Sequence, residues 1–398
     1  MRLIKVVLLL SSAMTVMAGA VISPALPEIS RHFSADNANV LTKLILTMPA
    51  LTIALCAPLA GHLSDLFGRK KLLVYSLFLY GLSGFSGFFL DDLILLLASR
   101  AVLGISVGGI MSAATALVGD LFSGSERAEF IGLQSGFMYI GGIVLVLLGG
   151  FLAEISWKAP FLAYLSAFAV FILAIIGLSK PNHGSNSSEM VDLEKSLRVP
   201  YLAVGLIYLL VFLLMIFYYM VLVQLPFILQ DRFGVGSAVT GLAISVSAFA
   251  GSLSSLSYPL IKRRLSYKLI YVLGFVFVSA GYVLIGNSFS FVFILAGLAL
   301  AGFGNGMLMP NGSFWLMEVA PEHIRGKAVG GFTGMIFLGQ FLSPILMAPF
   351  VSLFSLNGAF LISALFLGIV AISIAMLPMN RIVSSRISSN SLDKNNVR

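Results

Sequence analysis

Residues 61–71 read GHLSDLFGRKK and form a short polar connection between two apolar runs, at about 40–60 and 72–90. Each run is about twenty residues long, the length of α-helix that crosses the ~30 Å hydrocarbon layer of a bilayer. Gly61 and Gly68 permit a tight turn and a close helix approach. Asp65 can face the positive N-terminal end of a neighbouring helix, and Arg69 can pair with a carboxylate. The stretch therefore predicts two membrane helices joined by a charged turn.

The composition extends this interpretation to the whole chain. Of 398 residues, 59% are hydrophobic and 10% are charged, and the mean hydropathy is +1.03. Soluble proteins carry roughly a quarter charged residues. The formal charge of +8 does not indicate nucleic-acid binding, because the Lys and Arg residues lie between the apolar runs. The composition excludes a soluble globular fold and predicts lipid as the surrounding solvent.

Twelve apolar runs predict an all-α membrane protein with twelve transmembrane helices. A competing interpretation concerns the first run, because Arg2 and Lys5 followed by an apolar stretch and a small-residue segment at 18–20 also fit a cleavable signal peptide. Cleavage would leave eleven spans. The predicted spans are 4–24, 40–60, 72–90, 93–118, 129–152, 160–178, 201–224, 237–260, 268–286, 290–315, 329–354 and 358–378.

Basic residues are distributed unevenly between alternate connections. With the N-terminus inside, the cytoplasmic segments hold nineteen Lys and Arg residues, and the outer segments hold four, namely Arg31, Lys43, Lys158 and Arg232. The positive-inside rule therefore predicts that both termini are cytoplasmic. The short connections and the small chain indicate a bacterial inner membrane.

The chain also repeats itself at an offset of 198 residues. Such a repeat indicates that six spans were duplicated in parallel orientation. It predicts an N-terminal six-helix bundle at 1–178, a cytoplasmic linker at 179–200, a C-terminal bundle at 201–380 and a disordered tail at 381–398. The matched pairs are Gly104 and Gly302, Gly108 and Gly306, Asp120 and Glu318, Arg127 and Arg325, Gly132 and Gly330, Gly136 and Gly334, and Gly141 and Gly339.

Residues 61–71 resemble the signature loop of the major facilitator superfamily, Gly-x-Leu-x-Asp-x-x-Gly-Arg-Lys, and the resemblance covers essentially the whole chain. It implies two pseudo-symmetric six-helix bundles. In the family, the Asp faces the start of span 11 and the Arg reaches the acidic end of span 4. The resemblance therefore implies a conformational latch, in which Asp65 meets the backbone near Gly330 and Arg69 meets Asp120. Such contacts would favour the outward-open state by about 1 to 3 kcal/mol.

The second half carries a reduced version of this latch. Its equivalent connection, at 259–268, keeps the basic charge but lacks the Gly and the Asp. Glu318 with Arg325 repeats Asp120 with Arg127, and both pairs are candidates for ion pairs at the cytoplasmic ends of their spans. The predicted latch residues are Gly61, Asp65, Gly68, Arg69, Asp120, Arg127, Glu318 and Arg325.

Arg100 lies about two turns into span 4, where a charge costs about 2.5 kcal/mol or more at the membrane centre. Residues 100–108 resemble the family's second motif, Arg-x-x-x-Gly-x-x-x-Gly, in which the Arg is associated with proton coupling or substrate contact. The resemblance implies that Arg100 is a coupling or cavity charge. The alternative is an arginine that reaches the outer interface and is held by carbonyl groups.

Two features depart from the family's proton antiporters. None of the sixteen Asp and Glu residues lies mid-span, so proton coupling follows from the resemblance alone. Span 5 keeps the glycines at 141, 149 and 150 of the antiporter pattern Gly-x-x-x-Gly-Pro-x-x-Gly-Gly, but its central Gly-Pro is Leu145-Val146. Ser343-Pro344 occupies the homologous place in span 11 and offers a kink there.

The family lines its central pathway with spans 1, 4, 7 and 10, and those spans here are rich in Met and aromatic residues. These side chains adapt to varied apolar shapes, which favours a lipophilic or amphipathic solute over a sugar. The alternative for any one of them is lipid contact or helix packing. The predicted cavity residues are Met14, Thr15, Ser106, Met111, Tyr208, Phe212, Tyr218, Asn305, Met309 and Asn311.

These features predict a secondary active exporter of the multidrug efflux type, with a small-molecule substrate, protons as the coupling ion and a monomeric state by resemblance. We expect no enzyme activity, cofactor or metal, because the four His lie in connections, there is one Cys, and no phosphate-binding loop is present. One alternative is a dedicated exporter of a single metabolite, such as a siderophore or a sugar. Another is a non-transporting receptor or embedded enzyme, which would need a soluble domain or an ionisable cluster in the membrane.

Overall fold

The computed structural model describes residues 2–33, 38–177 and 200–377, and within these ranges the regular structure is entirely helical. Most of the predicted linker at 179–200 and the predicted tail at 381–398 lie outside the described residues. The description also omits the side chains of residues 2, 38, 39, 57–66, 125, 128, 322 and 323.

The helices follow one another in alternating directions, and we number the spans in chain order. Span 8 is followed by a short helix, Tyr258–Arg264. Spans 1 to 6 are Arg2–Ala20 with Leu26–His32, Ala38–Phe67, Arg69–Ser86, Leu93–Leu121, Gly124–Ile155, and Ala159–Leu165 with Ser166–Gly177. Spans 7 to 10 are Tyr201–Phe227 with Ile228–Arg232, Ser237–Leu256, Tyr267–Gly286 and Phe291–Val319, and spans 11 and 12 share the segment Glu322–Met376.

Nine segments of the described chain are long and apolar enough to cross a bilayer on their own. One of these, Ile324–Met376, holds two spans. Span 2 contributes a shorter apolar helix, Val40–Cys56, within its described part. Span 3 starts with three consecutive basic residues, and the rest of the helix is apolar. The twelve predicted spans are therefore all present.

Local chemistry sets several of the span ends. The Asp92 carboxylate accepts hydrogen bonds from the backbone N–H groups of Ile94 and Leu95, at 2.9 and 2.8 Å, and so caps the start of span 4. Gly68 turns the chain between spans 2 and 3 with a φ of 85°, a conformation that favours glycine. Spans 11 and 12 are separated only by Ser355, whose φ is 64°.

Two buried cores correspond to the two halves. The first draws on residues 7–174, and Val223 and Phe227 of span 7 join it. The second draws on residues 203–374, and Val146 of span 5 joins it. The halves meet mainly through span 5 against span 8 and span 2 against span 11. We call the side at which span 6 ends and span 7 begins the linker side, and the other the opposite side.

Candidate functional site

The halves are joined by hydrogen bonds on the opposite side. The Gln230 side-chain amide, at the end of span 7, donates to the carbonyl oxygen of Pro24 at 2.8 Å. Arg31, at the end of span 1, forms an ion pair with Asp231 at 3.4 Å. These contacts tie span 1 of the first half to span 7 of the second.

Two carboxylates make further contacts between the halves on this side. Glu28 of span 1 accepts a hydrogen bond from the Ser237 hydroxyl at 3.0 Å. Glu154 of span 5 accepts one from the backbone N–H of Ala238 at 2.9 Å. Both donors lie in the first turn of span 8, where N–H groups lack helical partners.

Near these contacts on the opposite side, glycines allow the backbones of neighbouring spans to approach closely. A Cβ on Gly149 would overlap the carbonyl oxygen of Val21 in span 1. A Cβ on Gly150 would lie 2.7 Å from the carbonyl oxygen of Ser237 in span 8, and one on Gly241 would lie 2.9 Å from that of Val146. Spans 5 and 8 therefore pack backbone to backbone, and the opposite side is closed.

On the linker side, unlike the opposite side, spans 5 and 11 are exposed to solvent or lipid. In each span three successive residues are exposed, at 131–133 and 325–327. Successive helical residues point about 100° apart, so only one face of each span can be covered at that level. Four glycines of the internal repeat lie in these segments and have nothing within 4 Å of a built Cβ: Gly132, Gly136, Gly330 and Gly334.

The structure brings two of the predicted latch residues together in the first half. Arg69 contacts the Asp120 carboxylate, and its Nη1 also donates to the Ala116 carbonyl oxygen at 3.3 Å. Arg127 lies instead beside Gly119, where a built Cβ would be 3.6 Å from its guanidinium. Asp120 therefore meets Arg69 across the ends of spans 3 and 4. Both residues belong to the first half, so this contact is present while spans 5 and 11 are open on the linker side and does not by itself favour the outward-open state.

The contact implied for Asp65 is not described. The side chain of Asp65 and the surroundings of Gly61 lie outside the described side chains. Gly330, the position that Asp65 would meet, is exposed and has open space around it. This openness fits a latch that forms only when the linker side closes.

In the second half, Glu318 accepts a hydrogen bond from the Tyr267 hydroxyl at 2.6 Å. The Lys262 ammonium lies 3.5 Å from the centre of the same Tyr267 ring. Arg325 is exposed at the start of span 11. Glu318 therefore joins spans 9 and 10 of its own half through a tyrosine.

Arg100 is fully buried inside the first half rather than exposed to a space between the halves. Its Nη2 donates to the carbonyl oxygens of Ser83 and Gly84 at 3.0 and 2.9 Å. Its guanidinium lies 5.0 Å from the ring centres of both Phe161 and Tyr164 in span 6. The structure thus places Arg100 among carbonyls and rings of spans 3 and 6. It is held by carbonyl groups, as in the alternative stated above, but it does not reach the surface.

Two of the predicted cavity residues, Tyr218 and Asn305, line the same small pocket in the second half. Its free space is on the scale of one water molecule. The side-chain oxygen of Asn305 is buried there without a hydrogen-bond partner. The other lining residues are Leu214, Val221, Ser247, Val278, Tyr282 and Ala301.

Asn311 and Tyr208 are placed in helix packing instead. Asn311 is fully buried, accepts a hydrogen bond from the Tyr258 hydroxyl at 3.1 Å and donates to the Tyr267 carbonyl oxygen at 3.1 Å. Burial and then the nearby Glu318 raise the pKa of Tyr258 to about 12, so its phenol stays protonated and donates. Tyr208 donates to the Ala328 carbonyl oxygen at 2.7 Å.

The remaining predicted cavity residues do not converge. The Met14 carbonyl oxygen accepts from the Tyr80 hydroxyl at 2.7 Å, and the Thr15 hydroxyl donates to the Ser12 carbonyl oxygen at 2.7 Å. The Ser106 hydroxyl donates within its own helix, to Val102, at 2.9 Å. The half-buried members are Met111, Phe212 and Met309.

Comparison with known families agrees with this geometry. The sequence profile of the Major Facilitator Superfamily matches residues 8–288 and 207–393, which together cover nearly the whole chain. The chain belongs to the Major Facilitator Superfamily. This facilitator is accordingly a multi-pass membrane transporter.

Two bacterial proteins resemble the facilitator in sequence. The bacillibactin exporter of Bacillus subtilis (strain 168) is 25% identical over 392 residues, which cover 94% of this chain and 96% of that protein. Multidrug resistance protein 1 of the same organism is 33% identical over 143 residues, which cover 35% of this chain and 36% of that protein. The facilitator is therefore similar to an exporter along its whole length and to a multidrug resistance protein over about a third of it.

A solved structure shares the fold of the facilitator. It is that of a bacterial homologue of the human lysosomal transporter Spinster, in an inward-facing and unoccupied conformation. The TM-score is 0.77 at 16% identity, with 96% of this chain and 98% of that chain covered. The likeness shows the twelve-span architecture.

One buried charge of the facilitator was not recognised from its sequence. The distribution of basic residues places Lys43 in an outer connection, but Lys43 lies within span 2 and is 5% exposed. Its position inside an apolar run could have revealed it from the sequence. A lysine buried in a membrane helix costs free energy, so such a residue usually has a function or a charged partner.

Proposed function

We propose that this chain is a secondary active exporter of hydrophobic or amphipathic small molecules, which works by alternating access and proton antiport. The observation that carries the proposal is that the two halves are in close contact on one side of the molecule and exposed on the other. The opposite side is closed by contacts between the halves, whereas spans 5 and 11 are open on the linker side. A rocking motion of the two halves would exchange these states.

The linker side is proposed to be cytoplasmic, in a bacterial inner membrane. Basic residues gather on that side, at the start of span 3 and in the short helix after span 8. Membrane proteins keep such basic segments in the cytoplasm. Both termini would then be cytoplasmic, and the structure would correspond to an inward-open state that receives solute from the cell interior.

The proposed substrate class rests on the apolar character of the spans and on the exporter relatives. The Asn305 side-chain oxygen is buried in the second half without a hydrogen-bond partner, and we propose that a solute engages it when the halves move. Export of one dedicated metabolite is the second candidate. It is favoured by the full-length likeness to the bacillibactin exporter, because the likeness to the multidrug protein covers only 35% of this chain.

Proton coupling is proposed to act through carboxylates that join the halves. Glu28 and Glu154 accept hydrogen bonds across the closed opposite side. Both carboxylates lie at the surface along which the halves would separate, so their contacts would break and re-form during each transport cycle.

Transport in inverted membrane vesicles tests the proposal. A panel of chemically varied fluorescent amphiphiles is offered with a proton gradient, and we expect gradient-dependent uptake that a protonophore abolishes. Several accepted compounds would support the multidrug type, and a single accepted metabolite would support the dedicated exporter. Uptake that ignores the gradient would contradict proton antiport, and no uptake or proton release with any compound would contradict export.

A further inference from the structure

Lys43 is a buried cation at the boundary between the two halves. It is the sixth residue of span 2 (Ala38–Phe67), on the opposite side. Its ammonium lies 5.0 Å from the centre of the Phe227 ring of span 7. Phe227 itself packs into the core of the first half. Lys43 therefore reaches the surface along which the halves would separate.

The described carboxylates at this end of the molecule are engaged with other residues. None of them forms an ion pair with Lys43, and Asp36, in the preceding connection, lies outside the described residues. A buried ammonium that lacks a counter-charge is costly, and a ring face offsets only part of that cost. The engaged carboxylates are Glu28 with Ser237, Glu154 with Ala238, Asp231 with Arg31, Asp91 with Lys158, and Asp92 with the backbone of Ile94 and Leu95.

Two further buried polar groups without hydrogen-bond partners lie about one helical turn from the contact between Lys43 and Phe227, one on each span. Thr47 follows Lys43 by one helical turn, and its buried hydroxyl has no hydrogen-bond partner. Gln224 precedes Phe227 by three residues, is 0% exposed, and both ends of its amide are unpaired. Buried polar groups in proteins normally form hydrogen bonds. The unpaired groups of Thr47 and Gln224 near Lys43 therefore indicate a site for an absent partner.

We infer that Lys43, Thr47 and Gln224 form an exit subsite that binds an anionic oxygen, a carboxylate or a phenolate, of the exported solute. The inference rests on the proposed export function. Opening of the opposite side would separate span 2 from Phe227, and the solute anion would replace the ring beside the ammonium. The threonine hydroxyl and glutamine amide would donate to the same group.

The buried charges of the described residues also favour an anion over a cation. Lys43 and Arg100 are both basic, and no described Asp or Glu is buried. A lipophilic cation would meet uncompensated positive charge at this level, whereas an acid would neutralise it. The subsite therefore narrows the substrate class to amphipathic acids and neutral compounds.

Binding of two matched probes to the purified full chain tests the subsite. The probes are 1-pyrenebutyrate and its uncharged methyl ester, followed by pyrene fluorescence. A hydrogen bond to a charged group supports an affinity difference of about tenfold or more. We expect Lys43→Met to weaken acid binding by about tenfold or more and ester binding by less than about twofold, and Lys43→Arg to retain acid binding.

Lys158→Met is the matched control, since it removes a lysine on the same side that is already paired with Asp91. It should leave the affinity of both probes unchanged. Equal losses for acid and ester in Lys43→Met, or no loss, or no acid binding by the unaltered chain, would each overturn the subsite.

Vesicle export of the ester, measured in parallel, separates the subsite proposal from the export proposal. Export without Lys43-dependent binding contradicts the subsite alone, and Lys43-dependent binding without export of either probe contradicts the export function alone.

Discussion

Arg100 is held in its span by neutral groups rather than by a carboxylate. Two carbonyl oxygens near the end of span 3 accept from its guanidinium, and two aromatic rings of span 6 lie beside it. Carbonyls at a helix C-terminus carry partial negative charge, so they stabilise a cation without titrating. Arg100 therefore fastens spans 3, 4 and 6 together at the opposite side.

Arg100→Ala should lower the free energy of unfolding by about 2 to 4 kcal/mol, because it removes charged hydrogen bonds and leaves a void among buried rings. A lowered melting temperature in detergent would report this loss. The control is Arg127→Ala, which removes an exposed arginine from span 5 and should melt like the unaltered protein. Equal melting of the two variants would show that the contacts of Arg100 do not stabilise the fold.

At the scale of elements, the contact of span 5 with span 8 sets how closely the halves can meet. Gly150 and Gly241 face each other there, and carbonyl oxygens occupy the space that side chains would need. Small residues permit such backbone approach in membranes, where packing rather than the hydrophobic effect drives association. This pair of spans therefore acts as the closing surface of the opposite side.

Gly150→Ala should hinder closure, because its methyl group would lie 2.7 Å from a backbone oxygen that cannot move alone. We expect gradient-driven transport in inverted vesicles to fall by about tenfold, the effect of roughly 1.4 kcal/mol on the closed state. Gly205→Ala in span 7 is the matched control, since nothing lies within 4 Å of its built Cβ. Retained transport in Gly150→Ala would argue against a tight closing surface.

The number and order of elements follow from sequence, but their rotation does not. Hydropathy and the repeat predict the twelve spans because lipid requires long apolar helices. The contact of Arg69 with Asp120 is the one that the family loop implies, since that loop has a fixed place between spans. Asn311 is a predicted cavity residue, but its amide packs against Tyr258 instead. A helix that is apolar all round gives no signal of which face points inward.

At the scale of the whole molecule, the described contacts allow the two halves to move as rigid bodies. Each half has its own buried core, and most of the described polar contacts between them lie on the opposite side. One contact lies nearer the linker side, where the Tyr139 hydroxyl of span 5 donates to the Ser255 hydroxyl of span 8 at 2.8 Å. Motion between the halves would break those contacts while it leaves each core intact. Transport should therefore depend on the freedom of pairs such as Arg31 and Asp231 to separate.

Cross-linking tests this requirement in a Cys56→Ser background, which removes the one native cysteine. Arg31→Cys with Asp231→Cys, joined by a short bismaleimide, should abolish vesicle transport. The control is Lys5→Cys with Glu126→Cys, whose parent side chains pair at 3.0 Å within the first half. Cross-linking the control pair should leave transport unchanged, because both residues move together. Transport that persists through the Arg31–Asp231 cross-link would exclude opening on that side.

The single-residue turn at Ser355 has a consequence for biogenesis. Residues 353–358 read LFSLNG, and Leu353 and Phe354 are exposed at the turn. Only Ser355 and Asn357 supply polar side chains between the two spans, so little polar surface has to cross the bilayer during synthesis. Spans 11 and 12 can thus enter the membrane together as a helical hairpin, and the first of them need not wait for a hydrophilic segment to be translocated behind it.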